Sequence, residues 1–320
     1  MRGHATRWAP VLGLLVVAPF IGEFLLGNLT VSELPLGLLL APMYGCGALL
    51  VREIGRRTRG WPTMVLLAAA YALFEEGPVD QLLWNDSYAQ QDLLTGATYI
   101  PAVGMSVALT QQVLSLHTIW SICVPIALVE AIAGERRNTL WLGRIGLTVT
   151  SALFVAGSVL VCYGNYSEEH FVASPWQIGS VTVVIVLLVV AASVVVPERV
   201  DRTVGEPPAS WLVGLAALVG SSAILVSSDW RGWVGVGVWF AAVGLGAWSV
   251  VRWSRRIGWT ERHTCALAVG ATLTYVWISF PMQPESGGSV LIDLLSNGLF
   301  GIAACLLVVW AMRRAAHMSN

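Results

Sequence analysis

The feature that most restricts this chain is the recurrence of apolar runs about 18–20 residues long, separated by short polar connections. Built as a helix rising about 1.5 Å per residue, such a run spans the ~30 Å hydrocarbon core of a bilayer. In lipid every backbone N–H and C=O must be bonded within the segment, so runs of this kind read as helices. Composition agrees: 56% of the 320 residues are hydrophobic and 12% charged, more apolar surface than a soluble core needs. The expected fold class is all-α, a polytopic transmembrane helix bundle of about ten spans forming one integral membrane domain.

The spans are read at about 9–27, 34–51, 61–83, 107–131, 145–163, 178–196, 211–228, 232–250, 264–282 and 289–311. All 18 basic residues are arginine, and with the N-terminus placed in the cytoplasm 17 of them fall on the inner side, Arg231 being the exception. That asymmetry supports an even number of spans with both termini cytoplasmic, in the cell membrane. The lipid bilayer is the expected partner, and no nucleic-acid partner is expected. Tryptophans near span ends, among them Trp61, Trp84 and Trp141, read as interfacial anchors. Arg52, Glu53, Arg56 and Arg57, where the second span ends, read as topology signals beside anionic headgroups. The segment 197–208 is the linker candidate. The N-terminus resembles a signal peptide, but no small-residue cleavage site follows, and Glu23 and the next span favour a retained first helix.

The five cysteines are scattered through apolar spans without a CxxC or Cys/His cluster, so neither a disulfide framework nor a thiolate zinc site is indicated. Metal and cofactor are left open. Polar residues are unevenly spread. Spans one to four carry Glu23, Glu75, Glu76, Asp80, Gln111, Gln112, His117 and Glu130, spans five to nine almost none, and span ten Asp293 and Asn297. This divides the chain into a polar working half, 1–131, and a largely scaffolding half, 132–320.

Glu75 and Glu76 stand out within the working half, near the end of the apolar run that begins at Trp61. An acid near mid-helix costs roughly 2.5–3.5 kcal/mol on insertion scales, so its default reading is a functional site. Pro78 cannot donate a backbone bond to Phe74, which predicts a kink or break beside the pair. Glu76 lies about 24 Å along the helix from Trp61, in the outer half. On a regular helix the two side chains point about 100° apart, so one is expected to face a cavity while the other holds a partner. The next span brings His117, with Gln111, Gln112 and Ser115 just before it. Its imidazole could bind metal, donate to an oxyanion or relay a proton. Glu23, Asp80, Gln111, Gln112, Asp293 and Asn297 are candidates for lining the same cavity.

A Glu-Glu pair followed some forty residues later by a histidine resembles the CPBP family, the CAAX prenyl proteases and bacteriocin-processing proteins of the membrane. Glu75 and Glu76 match the acids of its EExxxR motif, with Asp80 where the arginine is expected. Val113 to His117 aligns with FxxxH, with valine for phenylalanine; the family's HxxxN is absent, with Asp293 and Asn297 as a spatial stand-in for it. The resemblance covers residues 61 to 131. It implies that Glu75 or Glu76 activates a water and His117 stabilises charge during peptide hydrolysis. The chain also resembles multi-pass bacterial proteins that share an EEG segment and a following His-containing helix. The expected function is a CPBP-like intramembrane hydrolase of a membrane peptide using Glu75, Glu76 and His117, with a proton-coupled small-solute carrier or a non-catalytic assembly subunit as alternatives.

Overall fold

The computed structural model describes residues 2–195, 203–228, 232–284 and 287–318, and is all-α apart from a two-residue antiparallel ladder, β1 (Tyr99–Ile100) and β2 (Met105–Ser106). Ten helical rods follow one another among the described residues. They are α1 (Arg2–Pro19, carried on by Phe20–Phe24), α2 (Leu36–Arg57), α3 (Trp61–Phe74, carried on by Glu75–Val79) and α4 (Val107–Asn138). After them come α5 (Arg144–Glu169), α6 (Pro175–Val194), α7 (Ser210–Ser228), α8 (Trp233–Ser254), α9 (Glu261–Ile278) and α10 (Val290–His317).

Seven of these, α2, α4 to α8 and α10, are long and apolar enough to cross a bilayer. The sequence reading expected about ten. The three that fall short are those with polar or broken stretches: α1 has its apolar part at Trp8–Phe24, α3 changes geometry at Glu75, and α9 begins Glu261-Arg262-His263. The first half of the expected linker, 197–202 of 197–208, lies outside the described residues, as do Arg199, Arg202 and Arg231.

Burial sorts the rods into a centre and a rim. Two thirds of the apolar window of α4 is buried (67%), against 11% for α6. On α6 the side chains of Val183, Val186, Leu187 and Val190 all point out of the protein. A contiguous aliphatic face of this kind is stable when its solvent is lipid. α4 packs against α1, α2, α3, α9 and α10. Trp120, at its midpoint, stacks on Tyr275 of α9 at 4.5 Å and donates its indole N–H to the Ala271 carbonyl at 2.7 Å. Small residues let the rods approach: a Cβ on Gly45 would sit 2.6 Å from Leu15 Cα, and one on Gly47 2.5 Å from the Tyr71 ring. Backbone proximity thus fixes α2 between α1 and α3. Trp84 and Trp141, expected as interfacial anchors, are buried instead, because neighbouring helices and loops cover them.

Candidate functional site

Three helices leave α geometry in the segments that carry the polar residues. In α1 the wide turn Phe20–Phe24 follows Pro19, and Leu25 N–H donates to the Phe20 carbonyl, five residues back, at 2.9 Å. In α3 the turn Glu75–Val79 contains Pro78, and Asp80 N–H donates to the Glu75 carbonyl at 2.8 Å. In α4 the wide stretch Leu116–Cys123 ends just before Pro125, which has no N–H to offer the Ser121 carbonyl. Each proline removes one α-type bond, and the ladder re-forms with longer closures. The expected break at Pro78 is therefore a π turn, closed by Gln81 in the left-handed region at φ 58°.

Those turns meet around His117. Nδ1 of His117 lies 2.7 Å from Glu75 Oε2, and Nε2 lies 2.6 Å from Glu76 Oε1. The Ser121 hydroxyl is 3.1 Å from Nδ1. Both acids thus share one environment, contrary to the expectation for a regular helix. The turn is widened, and the imidazole presents its two nitrogens on different edges, so divergent carboxylates reach the same ring. Glu75 is 0% exposed, Glu76 3% and His117 8%.

A second set of groups extends the cluster toward α1 and α2. Glu23 accepts from the Tyr44 hydroxyl on Oε1 and from Asn28 Nδ2 at 3.2 Å on Oε2. The Tyr44 ring centroid is 6.1 Å from that of His117 and 6.3 Å from that of Tyr71. The Tyr71 hydroxyl, buried beside Tyr44, completes no hydrogen bond. Gly22 permits this convergence: a Cβ there would be 3.0 Å from Ser121 Oγ and 3.1 Å from Tyr44 Cε1.

Charge counting shows what the arrangement can do. With imidazolium between two carboxylates, the Glu75–His117–Glu76 group still carries one net negative charge, and Glu23 adds another nearby. Uncompensated charge in a low-dielectric interior costs several kcal/mol per ion, so protons or a bound cation are needed to balance it. Oε1 of Glu75 and Oε2 of Glu76 are buried without a hydrogen-bond partner, and the Glu75 Oε2 contact is too poorly aligned to count as one. Among the described residues no group of three or more His, Cys, Asp and Glu side chains is arranged to hold a metal ion.

The other candidates divide. Asp80 accepts from Asn165 Nδ2 of α5 at 2.8 Å and holds the end of the α3 turn. Gln111 is buried with an unpartnered Nε2, and Gln112 is half-buried one residue on. Asp293 and Asn297 bond each other at 3.0 Å, and Asn297 Nδ2 also donates to the Ser279 carbonyl at 3.0 Å. They tie α10 to the end of α9, with no bond to His117. Tyr44, Tyr71 and Ser121 were not singled out from sequence. Ser121 follows His117 by one helical turn, and Tyr44 is a hydroxyl in an apolar run, so spacing alone could have flagged both.

The opposite ends of α2 and α4 hold a different cluster. Arg52 and Glu53, expected beside headgroups, are 0% exposed. Arg52 donates to Glu53 Oε1 at 2.5 Å, to Glu130 Oε1 at 2.9 Å and to the Arg137 carbonyl at 2.5 Å, with its guanidinium 3.6 Å from the Trp141 ring centre. Glu53 also accepts from Arg57 at 2.5 Å and from the Trp141 and Leu142 amides at 2.9 and 3.3 Å. Glu130 is held in addition by a fork from Arg56, whose Nε donates at 2.8 Å. The loop after α4 folds back over these charges and buries them, which a span-end position in sequence does not announce.

The model of one protein family, described as an uncharacterized membrane protein family, matches residues 12–318. No curated protein and no solved structure matches the chain.

Proposed function

The chain belongs to an uncharacterized membrane protein family, and we propose that it is a proton-coupled carrier of a small solute. Its protonation site is Glu75–His117–Glu76, and Glu23 and Tyr44 extend the path toward the end of α1. The carrying observation is that one imidazole is held on both edges by buried carboxylates that keep unpartnered oxygens. A relay needs only hydrogen-bond reach and a way to gain and lose a proton, and it works without exposed surface. Broken helices supply the local freedom that alternating access requires. In this reading all ten helices cross the cell membrane with both termini in the cytoplasm. Residues 1–131 do the work, residues 132–320 serve as scaffold, and the bilayer is the surrounding partner.

Two measurements test it. Purified protein taken through a pH titration should give an infrared carboxyl band that is absent from Glu75→Gln or Glu76→Gln. Liposomes with an imposed acid gradient should accumulate one member of a labelled pool of small organic acids and amines, and His117→Ala should stop this. If no solute accumulates under the gradient the carrier is excluded, and if accumulation is unchanged in His117→Ala and neither acid titrates, this cluster is excluded as its proton site.

A second reading, intramembrane hydrolysis, is favoured by the order Glu-Glu then His and by the free carboxylate oxygens, which could hold a water. The matching family model is not that of the CPBP proteases, so no activity comes with membership. The near-complete burial of both acids weighs against peptide access. Cleavage of a membrane peptide that is lost in both Glu76→Ala and His117→Ala would move the assignment to this reading.

A further inference from the structure

About 20 Å further along α4 from His117, beyond Glu130, a cleft of about 510 Å³ opens between the ends of α2, α4, α8 and α9. Arg56, Arg137, Trp61, Trp259, Thr260 and Glu261 line it. The two arginines are fixed from behind. Arg56 forks onto Glu130 through Nε and Nη2, which leaves its Nη1 donors uncommitted. Arg137 places Nε 3.4 Å from Glu261 and Nη1 3.3 Å from the Gly134 carbonyl, leaving Nη2 uncommitted. Their side chains are 15% and 27% exposed, so both guanidinium groups reach the cleft while their stems are packed.

The start of α9 opens onto the same space. Thr260 is its N-cap, and its side chain and His263 bond reciprocally across the first turn. The Glu261 and Arg262 amides have no intrahelical acceptor, as in the first turn of any helix, and the positive end of the helix dipole faces the arginines. Two preorganised guanidinium groups, one helix N-terminus and two tryptophans form a basic recess with aromatic walls. Basic pockets between membrane helices take phosphoryl headgroups by this chemistry.

We propose that this cleft binds a phosphoryl anion, held by Arg56, Arg137 and the first turn of α9, with its organic portion against Trp61 and Trp259. A lipid headgroup and a free phosphate offer the same anion, and the experiment separates them. Purified protein in neutral detergent is titrated with phosphatidylglycerol, with inorganic phosphate, and with sodium sulfate as the anion control, while its unfolding midpoint is followed. Stabilisation by phosphatidylglycerol alone identifies a headgroup site, and stabilisation by inorganic phosphate a soluble ligand. Arg137→Gln should weaken the effective ligand at least about tenfold without moving the ligand-free midpoint, since its only ion pair is long and partly exposed. Glu261→Gln should tighten binding by removing the one acidic wall. No stabilisation beyond that of sulfate, or stabilisation unchanged in Arg137→Gln, overturns the proposal. If Arg56→Gln fails to fold, the Arg137 and Glu261 variants still decide it.

Discussion

Two buried ionic clusters share the α2–α4 scaffold, and they differ in how completely their polar atoms are bonded. Around Arg52 every carboxylate oxygen of Glu53 and Glu130 has at least one donor, and the guanidinium uses two carboxylates, a carbonyl and an indole face. Around His117 two acids converge on one ring and keep oxygens with no partner. The buried carboxylates of that network have nothing left to offer a ligand and lock helices together, and Arg56, at its edge, keeps donors free. An unsaturated one of equal burial is a standing cost, retained where a proton, water or substrate is to be received. The difference teaches that burial of charge does not itself mark function; missing partners do.

That contrast can be broken by substitution. The largest effect is expected from Arg52→Ala, which strands Glu53 and Glu130 in the interior. Unfolding of purified protein should show a loss of about 3–5 kcal/mol, the range for breaking a buried pair by removing one partner. Next comes Tyr44→Phe, which removes the hydrogen bond to Glu23. A loss of about 1.5–3 kcal/mol is expected in the same assay, together with slower proton uptake. Glu75→Gln should cost less than about 1 kcal/mol, because the amide keeps the shape and relieves the negative charge, yet proton-driven accumulation should vanish. Stability lost in Glu75→Gln as heavily as in Arg52→Ala would erase the distinction between the two clusters. Smallest of all, Asp293→Asn should leave accumulation within about twofold of wild type, since Asp293 bonds to Asn297 on its own helix and not to the His117 cluster.

The candidate site was readable in part. Glu75 and Glu76 announce themselves by their cost in an apolar run, Pro78 by its missing donor, and His117 by standing alone in the following span. What misled was the assumption of regular helix: it separated the two acids, whereas the π turn and the two-edged imidazole join them. The convergence of three wide turns had a faint signal in Pro19, Pro78 and Pro125, yet nothing in one dimension says that three prolines in different helices will serve one site.

Sequence by itself determined the class of solvent, the helical rods and the residues too costly to be idle, because hydropathy and backbone bonding are local properties of each segment. Only the tertiary structure decided which polar residues are satisfied. Arg52 and Glu53 looked like surface signals until the 139–142 loop and Glu130 closed over them. Asn297 donates to the Ser279 carbonyl beyond α9 and to Asp293 within α10, pairings that the sequence does not announce. Hydrogen-bond satisfaction is a property of pairs far apart in the chain, so it exists only once the helices have packed.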